Sequence, residues 1–349
     1  MKLNGKLRSL LHRIYPPSPK PLILMYHRIA RDPIDVWDLA VSPEHFEEQL
    51  AVLRRTRRPL SLQDFVRRLV SGTLPPDAVA VTFDDGYVDN LTAGKPRLSA
   101  ADVPATVFLA TGYLDKPGEF WWDELSRLVL AGDSPRTFEF AAGAKALHVD
   151  LGASAAARAD GSIPTTTLRL RQAALISIWE TLQCLDDDER QSAMAKIRSV
   201  LTDNRNVDRS RAMTRSEVQT LVTDGLVTIG AHTVTHPLLP ALGAEARQDE
   251  ITRSKSDCES LLGTEISGFA YPYGGFDDNA RKAVSVAGFG FACTTRHATV
   301  GRESDLLALP RIQVRNWDGD TFQRVIHDAS ADAASNNARA ASARRHEIA

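Results

Sequence analysis

Short runs of apolar and β-branched residues recur along the chain, and between them lie longer stretches whose apolar positions fall three and four apart. The runs LILMY (22–26), VAVTF (79–83), ATVFLA (105–110), LVTIG (226–230), GFAYP (268–272), FGFACTT (289–295) and LPRIQV (309–314) predict strands. The amphipathic stretches 43–55, 62–72, 215–225 and 243–263 predict helices, with Gly72, Gly225 and Gly263 placed as C-terminal caps. Alternation of this kind predicts a parallel α/β sheet or barrel, whose site lies where the strands' C-terminal ends converge. Polar residues with chemical potential stand at several of those ends: His27, Asp84 with Asp85, His232 and Tyr273.

Residues 115–212 break the rhythm. WWDELSRLVLAG (121–132) predicts a helix, TFEF (137–140) and ALHVDL (146–151) a hairpin through Gly143, and the stretch to residue 201 a helical pair whose second member opens with Asp186 and Glu189 in capping-box spacing. The expectation is an inserted, mainly helical subdomain within a barrel spanning 21–328. Residues 1–20 form a basic segment with a linker rich in proline (Pro16, Pro17, Pro19). The tail 329–349, rich in Ala, Ser, Asn and Arg, is expected to be mobile.

Composition narrows the class. With 349 residues, 43% apolar and 25% charged, the chain can bury a substantial core and reads as a soluble globular protein. Lys plus Arg number 42 against 44 Asp plus Glu, and a net charge of −2 offers no field for nucleic acid, which is excluded as a partner. Cys184, Cys258 and Cys293 form no C-x-x-C pair, so neither a disulfide framework nor a thiolate metal site is expected, and a reducing compartment fits. The first twenty residues lack the apolar h-region of ~7 to 15 residues that a secretory signal needs, so a cytoplasmic location is expected. Two readings of that segment stay open: a frayed basic tail, or a short amphipathic helix (Leu3, Leu7, Leu10, Leu11, Ile14) in peripheral contact with anionic lipid at the inner membrane face.

The candidate chemistry is metal-assisted. Two imidazoles four apart in H-T-V-T-H (232–236) can share one ion if the backbone turns between them, but Thr233 stands where a zincin carries its glutamate base, and Pro237 disfavours helix at His236. A third ligand and a base must come from elsewhere. Asp84 and Asp85, in T-F-D-D-G-Y after a strand, supply both, with Gly86 allowing a sharp turn. A lone D-D-G reads as a turn with solvated carboxylates; a histidine pair at a second strand end favours the metal reading.

T-F-D-D-G (82–86), H-T-V-T-H (232–236) and F-A-Y-P-Y-G (269–274) together resemble the polysaccharide deacetylases, the NodB-homology group of carbohydrate esterases, over roughly 20–113 and 213–320. The resemblance implies a distorted (β/α) barrel that removes N-acetyl, sometimes O-acetyl, groups from sugars. It implies one divalent ion, in the first place zinc, with cobalt, iron, nickel or manganese tolerated. Carried over by position, Asp84 is the general base and Asp85, His232 and His236 are the metal ligands. Tyr273 offers its backbone N–H to the oxyanion. The early L-M-Y-H-R-I is similar to the branch typified by exopolysaccharide poly-N-acetylglucosamine deacetylases and makes His27 the acid, with His327 second. Many relatives carry an arginine that holds the base carboxylate where Ala270 stands here; Arg311 is the substitute, or else a surface arginine paired with a nearby acid. Arg311, Trp317 and Tyr273 are the expected substrate-binding residues. Trp121, Trp122 and Tyr271 are further groove candidates, the two tryptophans equally suited to anchoring the insertion. The alternatives are an O-acetyl esterase or small-amide hydrolase on the same site, and a glycan-binding protein without turnover.

Overall fold

The computed structural model describes residues 19–32, 35–131, 137–143, 145–152, 165–201 and 210–329. The basic segment through residue 18, with its expected membrane contact, and the tail from residue 330 lie outside the described residues. No described helix is long and apolar enough to cross a membrane.

In chain order, β1 (Leu22–Tyr26), β2 (Arg28–Ile29) and β3 (Ala40–Val41) lead into α1 (Pro43–Thr56), β4 (Arg58–Pro59), α2 (Leu62–Val70), β5 (Ala78–Phe83), α3 (Lys95–Ala101) and β6 (Ala105–Leu109). The segment expected as an insertion then gives α4 (Trp121–Ala131), the hairpin β7 (Thr137–Ala142) and β8 (Lys145–Asp150), α5 (Thr165–Leu182) and α6 (Asp187–Val200). The chain returns through α7 (Arg215–Leu221), β9 (Val227–Ala231), α8 (Ala244–Leu262), β10 (Gly268–Ala270), α9 (Asp278–Val286), β11 (Phe291–Cys293), β12 (Ile312–Gln313) and α10 (319–329).

The main sheet has the order β11-β10-β9-β6-β5-β1-β12, parallel throughout, with β4 added beside β5. Leu309, just before β12, bridges Cys293 of β11, so the two ends of the sheet meet and the strands curl into a (β/α) barrel. Every residue of β1, β5 and β6 is buried, as expected of parallel strands covered by helices on one side and barrel contents on the other. Side-chain caps start the helices: Ser42 accepts from the His45 amide, Ser61 from Asp64, Asp186 from Glu189, and Thr214 forms a reciprocal box with Glu217. Phe46, Leu50 and Leu53 turn one face of α1 into the core, each contributing about 1.5–3 kcal/mol by burial.

The described parts of 115–212 form their own apolar cluster of Phe120, Trp121, Leu125, Phe138, Leu175, Ile178 and Met194, joined by Tyr87 and Tyr113 from the barrel loops. It is stitched to the rim by the Tyr87–Ala212 bridge and by the Met213 amide donating to the Gly86 carbonyl. β10, β11 and β12 are shorter than the apolar runs that predict them. Pro272 and the turn that follows end β10, while residues 309–311 run along β11 before β12 begins. β2, β3 and β4, of two residues each and so without a period, go unpredicted, as do α3 and α9, the latter opened by Asp277 accepting from the Ala280 amide.

Candidate active site

Strand register sets the site. Tyr26 of β1 pairs with Phe83 of β5, so His27 and Asp84 follow on adjacent strands, and the Asp84 amide donates to the Tyr26 carbonyl. Leu109 of β6 pairs with Ala231 of β9, and the His232 amide donates to the Leu109 carbonyl. His27, Asp84 and His232 line a cleft of about 190 Å³ at the C-terminal rim, together with Asp85, His236 and Tyr273. A larger cavity of about 1090 Å³ opens at the opposite end of the barrel, lined by Lys20, Gly72 and Arg302, and holds none of the candidate residues.

The backbone at the rim is held in the left-handed region at Asp85 (φ 72°), Thr233 (66°), His236 (56°) and Tyr273 (58°). Strain of this kind persists only where surrounding structure over-determines it. Gly86 (φ 84°) completes the turn, and a Cβ there would lie 2.6 Å from the Leu109 side chain. The turn aims Asp85 Oδ1 at two imidazoles: 3.5 Å from His232 Nε2 and 3.3 Å from His236 Nε2, which are 3.2 Å from each other. Four-coordinate zinc with bonds of about 2.0–2.1 Å separates its ligand atoms by roughly 3.3–3.4 Å, close to all three spacings. Asp85 Oδ1 is buried and has no hydrogen-bond partner among the described residues, as an oxygen reserved for a cation would be.

The electrostatics agree at Asp85 and His236, while at His232 burial is outweighed by the Asp85 and Asp84 carboxylates, which raise the imidazole. Burial pushes the Asp85 carboxyl up, but the imidazoles of His232 and His236 more than offset this and hold it below the usual range. Burial outweighs Asp85 at His236 and drops that imidazole to about 3, leaving it neutral as a ligand must be. His232 Nδ1 lies 2.7 Å from the Ala270 carbonyl, which fixes Nε2 toward the triad. The position where relatives carry an arginine thus contributes its backbone oxygen.

Arg311 is fully buried beneath Asp84, donating Nη1 to Oδ1 (2.7 Å) and Nη2 to Oδ2 (2.6 Å), with Nη1 also on Thr82 Oγ1 and Nε on the Thr294 carbonyl. Its expected substrate contact is therefore corrected: it clamps Asp84 and does not line the cleft. Burial raises the Asp84 carboxyl, but Arg311 and the neighbouring histidines outweigh it and bring it to about 2. Trp317 is corrected too. The chain leaves the two-residue β12 toward α1, where the Trp317 carbonyl accepts from Gln49 and its side chain packs on the barrel core away from the cleft. Tyr271 turns inward, donating to the Leu307 carbonyl, and Trp121 is buried under Arg190, a scaffold role. His327 sits on the outer surface beside Asp328, remote from the cleft-lining residues.

Trp122 anchors and lines at once: its N–H donates to Tyr87 Oη, which donates to Asp123, while its ring lies 4.6 Å from that of His236. Trp37, Trp179 and Glu250 escaped the sequence reading. Trp37 belongs to the loop directly after β1 and β2, a rim position by topology alone, whereas Trp179 looks like any apolar residue of α5. Glu250 of α8 takes the amides of Val234 and Thr235 (2.8 and 2.9 Å) and the Thr235 hydroxyl (2.7 Å), holding the H-T-V-T-H loop from behind. Glu250→Ala is expected to weaken divalent-metal affinity about 10–100-fold, the cost of losing an outer-shell support, in a chelator-competition titration. Unchanged affinity would show that the loop is held by other contacts.

The sequence profile of the polysaccharide deacetylase family matches residues 71–134 and 181–292, half of the chain, and the chain belongs to that family. The unmatched internal stretch, 135–180, is narrower than 115–212, so α4 and α6 fall within the match. His27 and Arg311 lie outside it. The solved Streptococcus pyogenes deacetylase PplD in complex with acetate is 19% identical, with 89% of this chain and 99% of that chain covered at a TM-score of 0.56. IcaB from Ammonifex degensii is 18% identical over 90% and 98%, TM-score 0.55, and a de-N-acetylase from Aggregatibacter actinomycetemcomitans 15% over 88% and 99%, TM-score 0.53. These likenesses establish the NodB-type barrel. The Bacillus subtilis (strain 168) protein "Putative polysaccharide deacetylase YxkH" is 23% identical over 123 residues, 35% of this chain, and the chain spans under half of that relative's length, 44%. Family members are hydrolases acting on carbon–nitrogen bonds.

Proposed function

We propose that this protein is a metal-dependent hydrolase that removes acetyl groups from N-acetylated sugars, with Asp85, His232 and His236 as the metal ligands. The observation that carries this reading is the buried triad, whose donor atoms converge at tetrahedral spacing with one carboxylate oxygen left unpartnered. A divalent ion held by Asp85, His232 and His236 would supply Lewis acidity toward an acyl carbonyl and a water molecule, so that a base as weak as Asp84 suffices. Asp84, locked by Arg311 in one orientation, takes the proton of the attacking water. The Tyr273 amide, at the turn after β10, is the donor to the developing oxyanion in this reading.

His27 is the acid in this reading. Burial lowers its pKa against the pull of Asp85 and Asp84, so the imidazole rests neutral, and the proton that Asp84 gains on the neighbouring strand end is the one it passes to the leaving nitrogen. An amine leaves poorly without that proton, whereas an activated aryl alcohol does not need it. His27→Ala is expected to slow acetate release from an N-acetylated oligosaccharide about 10²–10⁴-fold with metal content kept, while hydrolysis of an aryl acetate falls by less than about tenfold. Equal losses on both substrates would remove His27 from the acid role.

A further inference from the structure

The rim aromatics form a continuous wall. Trp37 meets Trp179 with ring centroids 4.9 Å apart, Trp179 meets Tyr273 at 5.4 Å, Tyr273 meets His236 at 4.6 Å, and His236 meets Trp122 at 4.6 Å. The far end is tied as well: the Trp37 N–H donates to Ser126 Oγ (3.1 Å), whose hydroxyl donates to the Trp122 carbonyl (2.7 Å). The five rings come from separate places: the loop between β2 and β3, α5, the turn after β10, the loop after β9 and the start of α4. The insertion side of the metal triad is therefore closed by ring contacts, with Trp179 of α5, in the stretch outside the family match, as the keystone. The same rings line the cleft of about 190 Å³, together with His27 and the two aspartates.

A sugar inside a polymer has a glycosidic bond on each of two sides, and both neighbours must leave the site, which calls for a trough open at two ends. A terminal sugar has one such neighbour. Ring faces pack on the apolar faces of pyranoses, so this wall can grip a sugar, but it blocks the second exit. Resting on the deacetylase reading above, we propose that the protein acts on the N-acetylated sugar at the end of a chain or on a short glycoconjugate, and that Trp179 with Trp37 sets this preference by closing the cleft.

The test uses the metal-loaded protein and N-acetylglucosamine tetramers that are free, blocked by a bulky group at one end, or blocked at both. Binding is read from tryptophan fluorescence and the deacetylated position by mass spectrometry. The expected result is binding of free tetramers and of those blocked at one particular end, at least about tenfold weaker binding of those blocked at the other end or at both, and acetate lost from the terminal sugar whose blocking prevents binding. Trp179→Ala, or Trp37→Ala if that variant folds poorly, is expected to admit doubly blocked tetramers and internal deacetylation. Doubly blocked tetramers that bind wild type as well as free ones, or internal acetyls lost as readily as terminal ones, would overturn the end-recognition proposal alone. End-selective binding without acetate release would uphold it and overturn the hydrolase reading; no response to any N-acetylated sugar would end both.

Discussion

His236→Ala is expected to strip divalent metal from the protein and to abolish acetate release. Wild type incubated with zinc and desalted should retain about one ion per chain and the variant essentially none, as measured by elemental analysis. The loss should exceed the 10–100-fold cost of removing an outer support such as Glu250, because one of three donors to the ion itself disappears. His236 also occupies φ 56°, where alanine is strained, so part of any effect can come from the loop. His236→Asn separates the two causes, since asparagine tolerates the left-handed region. A metal-free protein with wild-type melting behaviour but no bound zinc identifies the imidazole as ligand, whereas an asparagine variant that retains the ion at full affinity would mean that the triad does not hold metal.

Much of the barrel was legible in the sequence because its strands are fully buried. LILMY, AVAVTF and ATVFL carry no charged residue and no polar one but β-branched threonine, so the runs stand out, and residues at their ends are bound to meet at one rim. Asp84, Asp85, His232 and His236 were legible for a second reason: metal chemistry demands their types in close spacing, and T-F-D-D-G and H-T-V-T-H advertise it locally. Trp317 and Tyr271 were not, because an aromatic residue after a strand can turn to either face, and two-residue strands such as β12 fix no direction. Glu250 and Trp179 were hidden differently. Each lies on a helix whose pattern reports burial against its own neighbours, while the contact that matters, to the Val234 and Thr235 amides or to the Tyr273 ring, is set by tertiary packing. Arg311 fell between: its strand-end position raised the clamp on Asp84 as an option, and only the bidentate geometry separates that from a surface arginine.

That clamp gives the second large effect. Asp84→Asn is expected to leave metal content unchanged and lower acetate release about 10²–10⁴-fold, because the amide cannot take a proton from water. Arg311→Met acts through stability as well: it leaves the Asp84 carboxylate, 3% exposed, buried without its partner, which costs about 3–5 kcal/mol in unfolding by denaturant. In the double variant no buried charge is orphaned at this pair, so stability should recover above that of Arg311→Met alone. Acid sensitivity carries the same signature. Asp84 is held at about 2 in the fold, below its unfolded value near 3.9, so the stability it confers is present above pH 3.9 and is lost as pH falls toward 2. Asp84→Asn should remove that part of the acid transition, read from melting temperatures between about pH 2 and 5. An Asp84→Asn protein with wild-type turnover would transfer the base role to another residue, and a double variant no more stable than Arg311→Met would show that the arginine contributes by packing rather than by charge.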